Sequence, residues 1–276
     1  TKEAEKAGGD KSERTVIDFY FDKGGWTDVF NGLGELMLEK TGTGFKMVPY
    51  SDTTSYQTTI KQSMQTNNPA PLFTWWSGFR MKELVDAGYV EDLTDEWKNY
   101  YEKAGLSPDL ADAFSVDGKI YGAPLNVSYW YTYYNKKVFD QYGLKEPETW
   151  DEFIAICDKL LENGITPIGL QNEPWFSFVW FSELLVRYDA DLYDRLMVGE
   201  VSYTDPEVIK CVEIFKDMIE KGYFAVSNDS EKELLPEFVK GNIAMLHFGG
   251  WYQGTIENAG LEPETDFSAF LLPSMS

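Results

Sequence analysis

Stretches with the two-residue period of a strand alternate with stretches of helical period along the first third of the chain. That alternation limits the possible folds more than any other feature. Residues 15–21 (TVIDFYF) read as a strand. Trp26 to Glu39 read as a helix, with Phe30, Leu33, Met37 and Leu38 on one side and Gly42 as its stop. A strand at 44–49 and a helix at about 54–66 follow. Residues 71–76 (PLFTWW) read as a third strand, and 79–87 as a helix ended by Gly88. The order βαβαβα predicts an α/β fold, a parallel sheet with helices on both faces.

Residues 117–135 (DGKIYGAPLNVSYWYTYYN) break this rhythm. Gly118 and Gly122 mark turns, Pro124 an extended entry, and 127–134 a long aromatic strand. This stretch is the expected crossing point between domains. A second series follows, with a helix at about 149–163 and a strand at 165–170. Helices then come at about 175–187, 205–221 and 231–240. A strand at 242–248, a helix starting near Trp251 and a last strand at 267–272 end the series.

Composition removes several function classes. With 46 acidic against 24 basic residues the net charge is −22, and phosphate neutralisation needs Lys and Arg. Nucleic acid and anionic membrane surfaces are therefore excluded as expected partners. No apolar run reaches the roughly 20 residues that span a bilayer. Thr1 to Glu13 are polar, charged and Gly-containing, and read as a flexible leader. Cys157 and Cys211 sit on apolar sides of expected helices, which predicts buried free thiols rather than a disulfide. No His/Cys cluster has metal-ligand spacing, so neither metal nor cofactor is expected.

In open α/β sheets, ligands bind at the carboxyl ends of the strands. The residues found there are Asp22-Lys23-Gly24-Gly25-Trp26, Trp75-Trp76-Ser77-Gly78, Gln171-Asn172-Glu173-Pro174-Trp175 and Gly249-Gly250-Trp251-Tyr252. Four strand ends thus place Trp beside Gly or polar residues. An indole face suits the C–H face of a pyranose, and its N–H can donate to a hydroxyl. Asp22, Asn172, Glu173 and Arg80 are side chains suited to paired hydroxyls, and the glycines let backbone N–H groups approach. A lone Trp in such a place can simply close the core, but four together favour a sugar site. Of the others, Trp150 falls in a capping box begun by Thr149, while Trp97 and Trp180 lie within helical patterns as core. His247, the single histidine, sits in a strand and reads as packed. No nucleophile elbow, P-loop, dinucleotide fingerprint or zinc-protease motif occurs. The pair Asp22 and Glu173 leaves a glycoside hydrolase as an alternative, and a surface lectin-like module as another.

Three motifs give a resemblance. DGKIYGAPLNVSYWYTYYNKKVFDQYGLKEPETWDEF (117–153), YTDPEVIKCVEIFKDMIEKGYF (203–224) and EFVKGNIAMLHFGGW (237–251) resemble segments of the extracellular solute-binding proteins of carbohydrate ABC importers. That family includes maltose-binding protein. The resemblance implies two lobes, each a mainly parallel sheet flanked by helices, joined by crossing hinge strands and closing on a sugar without catalysis. It implies a leader at 1–14, the first lobe at 15–122, the second at 123–272, and at 273–276 the start of a return whose remainder is absent. Asp22-Lys23 match the family's Asp-Lys pair, and Trp76 and Arg80 its first-lobe Trp and Arg. Phe79 stands where the family has a carboxylate. Glu173-Pro174-Trp175 and Gly249-Gly250-Trp251 match the second-lobe aromatic segments. Asn126 to Tyr129 would lie near the hinge, within reach of the ligand. The implied ligand residues are Asp22, Lys23, Trp26, Trp75, Trp76, Arg80, Asn126, Tyr129, Asn172, Glu173, Trp175, Trp251 and Tyr252. The implied partners are a mono- or oligosaccharide and the importer's permease subunits. The implied state is a monomer outside the cytoplasm, either a cell-surface lipoprotein or periplasmic.

Overall fold

The computed structural model describes residues 14–22, 24–171, 174–227 and 231–275. The chain forms two compact units that divide between Val127 and Ser128.

The first unit begins with β1 (Thr15–Phe21), α1 (Thr27–Thr41), β2 (Thr43–Pro49), α2 (Thr53–Ser63), β3 (Leu72–Phe73) and α3 (Phe79–Asp86). The strands form a parallel sheet in the order β2-β1-β3, as the alternating pattern predicts. β3 is shorter than expected. Only Leu72 and Phe73 pair with β1, because Pro71 has no N–H to offer a ladder and the chain then turns toward α3. Gly42 ends α1 in the left-handed conformation at φ 79°. The unit continues through α4 (Thr94–Glu96), a π-helical turn at Trp97–Tyr101 and a 3-10 stretch at Pro108–Phe114. A small antiparallel hairpin of β4 (Ser115–Val116) and β5 (Lys119–Ile120) was not foreseen.

α1 does not pack as its sequence suggests. Leu33 and Met37, expected on its buried side, are exposed, and Phe30 is half-buried. The helix instead rests on β2 through Gly34. A Cβ on Gly34 would collide with the Phe45 carbonyl, and one on Gly44 would sit 2.5 Å from the Gly34 carbonyl oxygen. Asn31 closes the contact by accepting a hydrogen bond from the Met47 N–H at 2.9 Å. The backbones approach so closely that the glycine side of the helix, not its leucine side, faces the sheet.

The second unit contains β6 (Trp130–Asn135), α5 (Lys136–Tyr142), α6 (Trp150–Glu162), β7 (Thr166–Gln171), α7 (Pro174–Tyr188), α8 (Ala190–Met197), α9 (Pro206–Glu220), β8 (Phe224–Ser227), α10 (Glu231–Lys240), β9 (Ile243–Gly249), α11 (Gln253–Asn258) and β10 (Phe267–Phe270). Its sheet order is β10-β6-β9-β7-β8. β7 runs parallel to β8 and β9, while β6 runs antiparallel to β9 and β10, so this sheet is mixed. The aromatic strand starts at Trp130 rather than 127, and residues 127–129 precede the ladder. Every residue of β9 is buried, as befits a central strand covered on both faces.

Two short motifs explain themselves here. Thr149 caps α6 by accepting from the Glu152 N–H at 3.2 Å, and the Glu152 carboxylate accepts from the Thr149 N–H at 3.2 Å. That is the expected capping box. Asn135 ends β6 and caps α5. Its Oδ1 accepts from the Val138 N–H at 3.3 Å, and its Nδ2 donates to the Phe238 carbonyl at 2.8 Å. One buried side chain thus turns the strand into a helix and ties both to α10. Cys157 and Cys211 are free and buried in this core. Burial raises the thiol pKa of both, that of Cys211 to about 11.

Candidate functional site

Tryptophans gather at the strand ends of each unit. In the first unit, the carboxyl ends of β1 and β3 are laced together beneath them. The Thr74 hydroxyl donates to Asp22 Oδ1 at 2.7 Å. The Tyr56 hydroxyl, from α2, donates to the Thr74 carbonyl and lies 3.2 Å from the Tyr20 carbonyl. Tyr56 is fully buried, and its burial raises the phenol pKa well above the usual range. Asp22 is thereby held at the end of β1.

Three indoles surround this brace. Trp75 and Trp76 pack on Tyr56, with their own rings edge-to-face at 5.4 Å and 70°. The Trp75 N–H donates to the Arg80 carbonyl at 2.9 Å, which fixes the turn into α3. The Arg80 guanidinium sits over the Trp76 ring, 5.2 Å from its centroid. Gly78 at φ 69° permits that turn without strain. Trp26 stacks on Phe30 at 6.1 Å with planes 4° apart, and remains 37% exposed. Phe79 is also exposed, at 56%. This end of the unit combines a fixed carboxylate, a guanidinium and exposed indole surface.

In the second unit the candidate residues gather where β6 begins and β9 ends. Trp130 pairs with Gly249 in the ladder, and the Gly250 N–H donates to the Tyr129 carbonyl at 2.9 Å. Trp251 is 51% exposed and meets the Trp130 ring edge-to-face at 5.2 Å. Its six-membered ring lies against Gly249, where any Cβ would collide with it. Beneath Trp130 lies His247, stacked at 5.6 Å with planes 20° apart. His247 is buried, with Nδ1 3.0 Å from the Thr132 hydroxyl and Nε2 3.6 Å from Glu183 Oε1. Arg187 donates to the other oxygen of Glu183 at 3.0 Å and to the Leu272 carbonyl at 2.8 Å.

The structure sorts the residues singled out from sequence. Asp22, Trp75, Trp76 and Arg80 share one strand-end cluster with direct contacts, and Trp26 follows the same strand end as Asp22. Trp251 lies at a strand end with one side open, and Tyr129, 65% exposed, directly precedes Trp130. Asn126 is exposed at the end of the first unit. Tyr252 is placed otherwise: it is 1% exposed and stacked on Phe248 at 3.8 Å, so it anchors the turn inside the core. Lys23, Asn172 and Glu173 lie outside the described residues, as does the side chain of Trp175. Three residues escaped the sequence reading: Tyr56, Thr74 and Trp130. Tyr56 and Thr74 carry no motif, and Trp130 hides in a run of aromatics that reads as core. The expected core placements of Trp97 and Trp180 are met, and Trp150 is half-buried at the start of α6.

Comparison with known proteins follows the same lines. A probable sugar-binding periplasmic protein of Rhizobium meliloti is 30% identical over 224 residues, 78% of this chain and 53% of the relative. An uncharacterized ABC transporter extracellular-binding protein of Pyrococcus horikoshii is 26% identical over 223 residues, 78% of this chain and 50% of the relative. The chain thus spans about half the length of these relatives. Among solved structures, a chitin oligosaccharide binding protein superposes with a TM-score of 0.80 at 24% identity, over 95% of this chain and 67% of that one. That likeness shows the two-lobed α/β fold. The sequence profile of bacterial extracellular solute-binding proteins matches residues 22–274, and the chain belongs to that family.

Proposed function

We propose that this protein binds a mono- or oligosaccharide and releases it unchanged to the permease of an ABC importer. The observation that carries the reading is the exposed indole surface of Trp26 and Trp251 at strand ends, each held by its own packing. An exposed, fixed indole suits a sugar's C–H face. Asp22 and Arg80, beside Trp76, offer an acceptor and a set of donors for vicinal hydroxyls, with Lys23, Asn172 and Glu173 as further polar partners and Trp75 and Trp175 as further rings. Asn126 in the first unit and Tyr129 in the second are further proposed ligand residues. The names of the sugar-binding relatives and the importer-associated relatives support the same reading.

The proposed role is non-catalytic. The family whose profile the chain matches is one of extracellular solute-binding proteins, which supports this reading. The proposed location is outside the cytoplasm, at the cell surface or in a periplasm, with the protein acting as a monomer. Among the described residues, no helix is long and apolar enough to cross a membrane.

Isothermal titration against mono- and oligosaccharides, amino acids and short peptides tests the reading. A saccharide is expected to bind, with affinity lost on Trp76→Ala or Trp251→Ala. Binding of an amino acid or peptide with no saccharide response would overturn it.

A further inference from the structure

Trp130 and Trp251 stand at 82° to one another with ring centroids 5.2 Å apart. Two features hold them there. His247 supports Trp130 by stacking on its ring. That histidine belongs to fully buried β9 and is tied to Thr132 on β6, so the bed under Trp130 is rigid. Gly249 supports Trp251. Its φ of −69° is open to any residue, so backbone freedom does not call for glycine there. Space does: a Cβ would meet three atoms of the Trp251 ring. Gly250 is confined in the same way, since its Cβ would lie 3.2 Å from the Ser128 hydroxyl oxygen and 3.5 Å from the Tyr131 ring. Trp251 nonetheless keeps half of its surface open.

We infer that Trp130 and Trp251 form a single aromatic corner that takes a hexopyranose. The C–H face of the sugar lies on one indole and its exocyclic C6 methylene lies against the other. This deepens the sugar-binding reading and rests on it. A single exposed indole discriminates poorly among sugars, because every pyranose has a C–H face. A right-angled pair contacts a face and a substituent that projects from the ring. The Ser128 hydroxyl, beside Gly250, flanks the corner with a group able to bond a sugar hydroxyl. A sugar lacking C6 leaves one indole uncovered. Burying one methylene gives about 0.8 kcal/mol, or roughly fourfold in affinity.

The test uses matched sugars that differ only at C6: glucose and xylose, galactose and L-arabinose, and the β-1,4-linked oligomers of glucose and of xylose. Titration is expected to show at least one hexose member binding roughly fourfold or more tighter than its pentose counterpart. Trp130→Ala should weaken the hexose and bring the ratio to about one, and Trp130→Phe should restore part of it. In parallel, 19F NMR of the 5-fluorotryptophan-labelled protein should show the Trp130 and Trp251 resonances, assigned with W130F and W251F, both moving at saturation while that of Trp97 stays. This second arm reads the unsubstituted site even if Trp130→Ala does not fold. Sugar binding in which every pentose matches its hexose, or a Trp130 resonance unmoved while Trp251 shifts, would overturn the corner and leave sugar binding intact. No binding by any member of any pair would overturn the corner and the sugar-binding reading together.

Discussion

Glycine at position 249 matters for what it lacks. Its missing Cβ is the space that the Trp251 ring occupies. Gly249→Ala should therefore push the ring off its bed without straining the backbone. Sugar affinity is expected to fall about tenfold in titration, on the scale of a lost aromatic contact, while the melting temperature moves by only a few degrees. Glu183 makes a different prediction. Burial works to raise its pKa, but the His247 ring and the Arg187 guanidinium outweigh that and hold it below its ordinary value of 4.5. A carboxyl depressed in the folded state contributes stability above its unfolded value. That contribution is lost as pH falls through the lower folded value. Acid titration of stability should thus show a loss beginning near pH 4.5, and Glu183→Gln should remove that part of the pH dependence while lowering stability at pH 7. Residue identity was only partly legible in the sequence. Trp97 and Trp180 showed their core role through helical spacing, but Tyr252 did not. A 3-10 turn at Gly250–Tyr252 points successive side chains about 120° apart, so a Trp251 turned outward sends Tyr252 onto Phe248.

Helix α1 shows where element-level reading succeeds and fails. Its ends follow from Trp26 and Gly42, but its buried side does not follow from its leucines. Close packing of Gly34 on Gly44 brings the helix axis so near β2 that Leu33, Leu36 and Met37 are left outside. Periodicity reports which side is apolar. It does not report which side can approach a sheet most closely. The glycines allow a paired test by urea denaturation. Gly34→Ala should cost about 1–3 kcal/mol through overpacking against the Phe45 carbonyl. Gly32→Ala, whose Cβ meets nothing, should gain up to about 1 kcal/mol from helix propensity. Equal effects would mean that α1 does not rest on β2 as described. The elements missed from sequence share physical reasons. α5 starts directly after β6, because Asn135 ends the strand and caps the helix, and α8 begins two residues after α7 ends, with Asp189 as its cap. β8 is a four-residue edge strand with too short a pattern to stand out.

On the scale of the whole molecule, the alternating patterns gave the two-unit α/β architecture, and three motifs gave the family. β6 explains why the second sheet is mixed: it enters from the first unit's end and runs against β9 and β10. The candidate site was legible as residue types at strand ends, because strand ends are where an α/β sheet exposes loops. What sequence could not supply was the bracing, since Tyr56, Thr74 and His247 act through tertiary contacts with no local signature. The role proposed for this acidic chain, with its net charge of −22, is to carry a neutral sugar rather than to do chemistry on it. One measurement addresses that assignment most directly. The protein is saturated with the saccharide that titration selects, freed of excess, unfolded, and its released ligand weighed by mass spectrometry. The expected result is about one saccharide per chain with its mass unchanged after prolonged incubation. Recovery of shortened or hydrolysed sugar, or of no sugar at all, would contradict it.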